Sequence, residues 1–196
     1  MRLASITGAS ILLTACAHTG AIDDGLGFSE RQSRLSAIDN WDLSGQLVID
    51  TGESRERARV AWEQRGARLN LTVRGVVLGA GSFRIAGDDT RLVLEGRGET
   101  RVLDDPEADL ERQFGWWIPV TSLDAWLLGQ ADADYPRQLD RGPSGTIATL
   151  EQRDWRLVYE EYQLVAGLLV PRAITMRHGN LALRLASISF EPAGEP

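Results

Sequence analysis

The residue with the most distinctive chemistry is Cys16, the single cysteine in a chain of 196 residues. It follows Leu13, Thr14 and Ala15 and ends a short apolar run that begins after the basic residue Arg2. A basic start, an apolar run and small residues before a cleavage point are typical of a bacterial export signal. A lone cysteine in an exported chain has no disulfide partner. The pattern predicts a lipobox, in which cleavage after Ala15 leaves Cys16 carrying a diacylglyceryl thioether and an amide-linked acyl chain. The alternative is an incidental, buried cysteine.

This reading divides the chain into three parts. Residues 1–15 are predicted to be a lipoprotein signal peptide, and residues 16–27 a lipidated cysteine with a flexible tether of small, polar and glycine residues. Residues 28–196 are predicted to form one domain, because that length can bury a full core. The apolar run is shorter than the roughly 20 residues of a membrane-spanning helix, so we expect attachment through acyl chains. Inner-membrane retention usually requires an aspartate after the lipidated cysteine, so Ala17 favours the periplasmic face of the outer membrane.

Composition excludes several function classes. The formal net charge is −7, which argues against nucleic-acid binding and against electrostatic docking of the whole body on anionic lipid. The two histidines, His18 in the tether and His178 in a predicted turn, are poorly placed for a catalytic triad. The sequence also lacks a Cys/His cluster and any lysine for a phosphate-binding loop. We therefore expect a protein that is not an enzyme and needs no metal or cofactor. We also expect a monomer.

Hydrophobic periodicity indicates a mainly β fold. Apolar and polar residues alternate in ten segments, at residues 43–49, 58–62, 69–73, 83–85, 92–94, 100–102, 146–151, 155–162, 170–177 and 181–190. Residues 105–115 and 122–128 interrupt them with two helices, each preceded by a capping residue and followed by glycine, and residues 28–38 predict one more. A curved sheet with one apolar face needs a cover. The sequence thus predicts a curved antiparallel unclosed β-barrel of about ten or eleven strands, covered by short helices.

Residues 76–78 form an unusual connection between two predicted strands. Val76, Val77 and Leu78 stand between Gly75 and Gly79, where a turn is expected to be polar. One interpretation is a buried strand that continues through these residues. The other is an apolar hook that projects from the body toward a membrane or a protein partner. Residue types alone leave both open.

Motifs spread over most of the chain resemble the LolB family of outer-membrane lipoprotein receptors. The most specific are Ile-Pro-Val at residues 118–120 with Ser-Leu-Asp-Ala-Trp-Leu-Leu-Gly at 122–129, and Trp-Arg-Leu-Val-Tyr at 155–159. The cysteine box, Ala-Arg-Val-Ala-Trp at 58–62, the segment 69–85 with Leu-Gly at 78–79, Tyr162 and Val-Pro at 170–171 extend the resemblance. It implies an unclosed antiparallel barrel with a helical lid. It also implies that the apolar residue before the glycine, here Leu78, serves membrane insertion.

The resemblance further implies the partners. These are the periplasmic carrier LolA, the acyl chains of lipoproteins and the phospholipid of the outer membrane. Acyl chains need shelter from water, because each exposed methylene costs about 0.8 kcal/mol. We expect an apolar cavity lined from the sheet and the helices, although each candidate could instead be ordinary core. The candidate lining residues are Trp62, Leu69, Leu71, Phe83, Leu123, Trp126 and Leu127.

Two other functions are compatible with the residues. One is a lipid-anchored structural or assembly protein whose apolar loop binds a protein partner. The other is a lipid-modifying hydrolase, which the lack of a suitably placed base disfavours. Depletion in cells would separate the first from a lipoprotein receptor, because only loss of a receptor should strand lipoproteins on their carrier.

Overall fold

The computed structural model describes residues 22–75 and 81–194. Cys16, Val76, Val77 and Leu78 lie outside the described residues. The helices are α1 (Phe28–Leu35), α2 (Pro106–Phe114) and α3 (Leu123–Leu127), with a short 3-10 turn at Val120–Ser122 before α3. The strands are β1 (Asn40–Asp50), β2 (Arg55–Arg65), β3 (Arg68–Gly75), β4 (Phe83–Asp88), β5 (Arg91–Gly96), β6 (Glu99–Leu103), β7 (Arg137–Arg141), β8 (Ile147–Gln152), β9 (Trp155–Val165), β10 (Leu168–His178) and β11 (Leu181–Pro192).

All eleven strands belong to one antiparallel sheet, in the order β6-β5-β4-β3-β2-β1-β11-β10-β9-β8-β7. Two meanders, β1–β6 and β7–β11, join where β1 pairs with β11. Among the described strands, β6 and β7 are the two edges and do not pair with each other, so the barrel is unclosed. The predicted fold class is confirmed.

Strand registers define two ends of this sheet. Asp50 lies opposite Arg55, and Gly75 lies opposite Ala58, so the β1–β2 and β3–β4 connections share one end, which we call the loop end. The turn between β9 and β10 lies at the other end, as does the start of β1; we call this the tether end. Apolar residues alternate with polar ones, as in β2, where Ala58, Val60 and Trp62 point inward.

The connection between β6 and β7 supplies the predicted helices, which with the 3-10 turn we call the helical cover. Asp105 begins α2 as its N-cap, because its carboxylate accepts a hydrogen bond from the Ala108 amide at 3.2 Å. Pro106 occupies the first turn, where its missing N–H costs nothing. Gly115 ends the helix in a left-handed conformation (φ 82°). These local signals explain why the alternation stops at this point of the chain.

The N-terminal segment differs from its predicted role as tether. Asp24 and Arg31 form a buried ion pair, with Arg31 Nε to Asp24 Oδ2 at 2.7 Å and both side chains at most 1% exposed. Asp24 also accepts the Leu169 amide at 3.0 Å, and Arg31 donates to the Gly145 carbonyl at 3.1 Å. These bonds hold residues 24–26 against the tether end of the body. Residues 24–26, which fall within the tether predicted for residues 16–27, are therefore docked on the body.

Candidate functional site

An apolar cavity of about 110 Å³ lies between the inner face of the sheet and the helical cover. Every lining residue has an apolar side chain. The sheet contributes Leu47, Ile49, Val60, Trp62, Leu71, Val73, Phe83, Ile85, Met176, Leu181, Leu183 and Leu185, and the cover with its flanking residues contributes Leu110, Phe114, Ile118, Val120, Leu123 and Leu127. A wholly apolar lining of this kind suits an apolar ligand.

The structure brings five of the seven candidate lining residues to this cavity. They are Trp62, Leu71, Phe83, Leu123 and Leu127.

The other two lie elsewhere. Leu69 lies near the β2–β3 turn, opposite Gln64 and Gly87, beyond the end of the lining. Trp126 is fully buried against Trp155, with ring centroids 6.4 Å apart. Its indole nitrogen donates to Gln152 Oε1 at 2.8 Å. We therefore leave both residues out of the candidate site.

The indole of Trp62 presents its apolar surface to the cavity while its polar atom is bonded within the protein. Its Nε1 donates to Gln64 Oε1 at 2.8 Å, and Gln64 in turn donates to the Gly66 carbonyl at 2.7 Å. Trp41 stacks behind it with ring centroids 5.8 Å apart. Because a hydrogen bond compensates for the desolvation of a buried N–H, this wall of the cavity is apolar and leaves no unpaired polar atom on Trp62.

Phe83 and Phe114 separate the cavity from a second, polar cleft. Their ring centroids are 4.7 Å apart, and both rings line both spaces. The polar side of that cleft is formed by Arg97, Glu99, Arg101 and Gln113. Sequence reasoning named Phe83 but missed Phe114, whose four-residue spacing from Leu110 marks the apolar face of α2.

Arg153, in the β8–β9 turn, fastens the helical cover to the sheet. Its guanidinium donates to both carboxylate oxygens of Glu107 on α2, at 2.9 and 2.6 Å, and to Ser122 Oγ at 2.9 Å. It also lies over the Tyr135 ring, 4.2 Å from the centroid. Only 10% of the Arg153 side chain and 16% of the Glu107 side chain are exposed. No pattern in the sequence predicts this contact between residues 46 positions apart.

The lining offers no acid, base or nucleophile. Outside the lining, the buried Tyr159 hydroxyl donates to the Trp126 carbonyl at 3.0 Å, and burial raises the pKa of this phenol well above its usual value. On α3, burial also raises the pKa of Asp124. Within residues 22–75 and 81–194, no group of three or more His, Cys, Asp or Glu side chains could hold a metal ion. Over the same residues, no helix has the length and apolarity to cross a bilayer.

The β3–β4 connection begins at Gly75, at the loop end of the sheet. Gly75 has a φ of 152°, and a Cβ there would lie 2.8 Å from the Arg57 carbonyl oxygen, so a larger residue would displace the backbone. Its amide donates to Ser82 Oγ at 3.2 Å, which ties the two strands together where the connection starts. The position therefore requires glycine.

Solved structures with low sequence identity share the fold. A LolA superfamily protein from Nitrosomonas europaea matches with a TM-score of 0.51 and 13% identity, covering 87% of this chain and 96% of that one. A DUF1329 family protein from Desulfovibrio piger gives a TM-score of 0.51 at 6% identity, covering 84% and 88%. At such identities the likeness concerns the architecture alone.

Proteins related by sequence have a higher identity to this chain than these solved structures. The chain is 30% identical over 179 residues to the outer-membrane lipoprotein LolB of Tolumonas auensis, covering 89% of each protein. It is 32% identical over 182 residues to that of Alkalilimnicola ehrlichii, covering 90% of each. The family model described as "Outer membrane lipoprotein LolB" matches residues 39–188, which include ten of the eleven strands in full and the helical cover. This chain therefore belongs to the outer membrane lipoprotein LolB family.

Proposed function

We propose that the chain receives lipoproteins from the periplasmic carrier LolA, shelters their acyl chains and passes them into the outer membrane. The observation that carries this proposal is the wholly apolar cavity beneath the helical cover. Family membership supports a role in lipoprotein localisation, which is not an enzymatic role. No catalytic step is therefore needed, and the acyl chains move toward the more favourable environment.

The cavity as described is smaller than its proposed cargo. An apolar cavity of about 150 Å³ holds one benzene-sized ligand, so about 110 Å³ accommodates only part of an acyl chain. Each further methylene taken out of water contributes about 0.8 kcal/mol. Binding of a whole acyl chain is therefore expected to lift the helical cover from the sheet. The contacts between the cover and the sheet set the free-energy cost of this movement.

Filling the cavity tests the proposed site. Leu123 on α3 lines the cavity and is only half-buried, so Leu123→Trp should place extra ring volume inside without forcing the core apart. We expect the affinity for a fluorescent fatty acid to fall about tenfold, because the ring removes the space for roughly two methylenes. Displacement titrations with an acylated lipoprotein would measure the same change.

The matched control is Leu164→Trp. Leu164 is 52% exposed on β9 and does not line the cavity, so the same substitution there should leave fatty-acid affinity unchanged. Equal affinity of Leu123→Trp and the wild-type chain, with the variant shown to be folded, would contradict acyl binding in this cavity.

Membrane attachment is proposed to occur through Cys16 at the periplasmic face. Residues 1–15 act as the signal peptide, and residues 16–23 link the lipidated cysteine to the docked segment at Asp24. The names of the relatives support an outer-membrane location. Stable anchoring follows from more than one acyl chain on the same residue. Mass spectrometry of the membrane-extracted protein should find the acyl groups on Cys16.

We also propose that Val76, Val77 and Leu78 enter the bilayer during the last step of transfer. The Leu78→Glu variant should accept cargo from the carrier as the wild type does, yet insert it poorly into liposomes. The reason is that a carboxylate opposes entry into hydrocarbon. Liposome flotation of a labelled lipoprotein measures insertion, and a carrier-to-receptor exchange assay measures acceptance.

Leu164→Glu provides the control, because it adds the same charge at an exposed leucine near the tether end. Normal insertion by Leu78→Glu would refute the role of these three residues. A loss of both acceptance and insertion would point instead to a protein-docking loop.

A further inference from the structure

Three arginines form a compact group on the outer face of the sheet at its loop end. Arg59 on β2 lies directly opposite Arg74 on β3, and Arg57 is two residues from Arg59 on the same face of β2. All three side chains are exposed. Side chains opposite each other on antiparallel strands have Cβ atoms about 5 Å apart. We call Arg57, Arg59 and Arg74 the arginine patch.

Several other charged side chains on the same face have partners. Arg84 donates to Asn70 at 2.6 Å and pairs with Glu95 at 3.3 Å. On the same face of β2, Glu63 accepts a hydrogen bond from the Asn70 side chain at 2.9 Å.

Toward the loop end, Asp50 faces Arg55 at 3.4 Å. Among the described residues, Arg57, Arg59 and Arg74 form no ion pair or side-chain hydrogen bond. The patch is therefore a local excess of positive charge.

Such an arrangement carries a cost, because like charges directly opposite each other destabilise a sheet. The cost disappears when an anion lies between the guanidinium groups, and guanidinium matches phosphate with two parallel hydrogen bonds. The net charge of −7 describes the whole chain and does not determine whether an anion binds at the arginine patch. Charges on the rest of the body are screened beyond about 8 Å at physiological salt, so an approaching surface senses the nearest groups.

We propose that the arginine patch binds the phosphate head groups of anionic phospholipid in the membrane that receives the cargo. Arg74 immediately precedes Gly75, which pairs with Ala58. Arg57 is one residue closer to the loop end than Ala58. The patch therefore lies at the end of the sheet where residues 76–78, which are proposed to enter the membrane, connect β3 with β4. In this respect the inference rests on the proposed function. Flat anionic surfaces present phosphates to several arginines at once, which suits three side chains on two neighbouring strands.

The test measures binding of residues 16–196 to vesicles, with Cys16→Ser so that neither the signal peptide nor acyl chains contribute. We compare vesicles of phosphatidylcholine with vesicles of phosphatidylcholine mixed with phosphatidylglycerol. For the double variant Arg59→Gln/Arg74→Gln we expect affinity for the anionic vesicles to fall on the order of tenfold at low salt. Affinity for the neutral vesicles should not change. The preference of the parent chain for anionic vesicles should fade as salt rises.

The control is Arg68→Gln/Arg91→Gln, which removes the same charge from two exposed arginines at the tether end. It should keep its anionic preference. Equal losses in both double variants would overturn the proposal, because net charge alone would then explain binding. Unchanged vesicle binding in Arg59→Gln/Arg74→Gln would overturn it too, and weakened capture of purified carrier protein in that case would mark a protein-docking surface.

The Leu78→Glu variant separates this proposal from the proposed function. It should weaken binding to neutral and anionic vesicles alike, whereas the arginine variant affects only anionic ones. If Leu78→Glu weakens binding and the arginine variant does not, the patch proposal fails while membrane entry by residues 76–78 stands. If only the arginine variant weakens binding, membrane entry by those residues fails and head-group binding by the patch stands.

Discussion

Two buried tryptophans of similar environment differ in a single hydrogen bond. Trp126 and Trp155 are 0% and 2% exposed, and their rings contact each other. Trp126 Nε1 donates to Gln152 at 2.8 Å, whereas Trp155 Nε1 has no hydrogen-bond partner among the described residues. An unpaired buried N–H is expected to cost about 1–3 kcal/mol. The ring of Trp155 stacks on His178 with ring centroids 5.4 Å apart. It stabilises the fold through its buried apolar area alone.

Phenylalanine substitutions at these two positions should therefore have unequal effects. Both remove similar volume from a packed core, so both create a cavity that costs energy. Trp155→Phe also removes an unpaired donor, while Trp126→Phe breaks a bond. We expect Trp126→Phe to lower the free energy of unfolding by about 1–2 kcal/mol more than Trp155→Phe. Urea denaturation of each variant measures the difference. Equal losses of unfolding free energy would contradict the finding that Trp155 Nε1 has no hydrogen-bond partner among the described residues.

At this scale the sequence predicts which residues are apolar and inward but not which of them border empty space. Leu123, Trp126 and Leu127 all belong to the apolar face of α3, yet Trp126 is directed to Gln152 and Trp155 instead of the cavity. Leu69, Leu71 and Val73 alternate on one face of β3, yet the lining stops at Leu71. Cavity borders depend on how two layers meet, which periodicity along one element does not encode.

The helical cover is held by a few polar contacts at the element scale. Arg153 donates hydrogen bonds to Glu107 on α2 and to Ser122 in the 3-10 turn. One side chain therefore connects the β8–β9 turn with two segments of the cover. Glu107 further accepts from Trp117 Nε1 at 3.1 Å and from Thr121 Oγ1 at 2.7 Å. Breaking a largely buried pair leaves a charge without its partner.

Removing this contact should loosen the cover before it unfolds the sheet. Arg153→Met keeps much of the stem that packs on Tyr135 but leaves Glu107 unpaired. We expect a loss of about 3 kcal/mol in unfolding free energy together with faster uptake of a fluorescent fatty acid. Arg156→Met is the control, because its ion pair with Glu151 is about half-exposed and contributes no more than about 1 kcal/mol. Unchanged uptake kinetics in a destabilised Arg153→Met would show that the cover does not limit entry.

Elements with strong local signals were predictable, and those without them were not. The capping residues of α2 lie where the sequence placed them, and ten alternating segments correspond to ten strands. The eleventh, β7, reads Arg-Gln-Leu-Asp-Arg and has one half-buried residue, Leu139. Charged edge strands are common because they discourage aggregation. Its strand geometry comes from pairing with β8 and not from its own pattern.

At the scale of the whole molecule, the docked residue Asp24 and Gly75, the last residue of β3, lie at opposite ends of the sheet. The hydrogen bonds of Arg31 keep the pKa of Asp24 well below its usual value, so the pair that docks the tether stays charged at neutral pH. Residues 16–23 number eight and, fully extended, reach at most about 29 Å. A strand of eleven residues such as β2 is about 36 Å long. If Cys16 is anchored and residues 76–78 enter the same bilayer, the body must tilt toward the membrane with the tether nearly taut.

Tether length should therefore limit insertion of cargo. Deletion of residues 18–21 leaves four residues between the acyl chains and Asp24, which shortens the reach to about 14 Å. We expect this variant to be lipidated and to accept cargo from the carrier, but to insert it into liposomes several-fold more slowly. Replacing the same four residues with Gly-Ser-Gly-Ser keeps the length and should keep the rate. Full insertion activity in the deletion variant would mean either that the anchored end and residues 76–78 need not contact the bilayer at the same time, or that the Asp24–Arg31 pair opens during transfer.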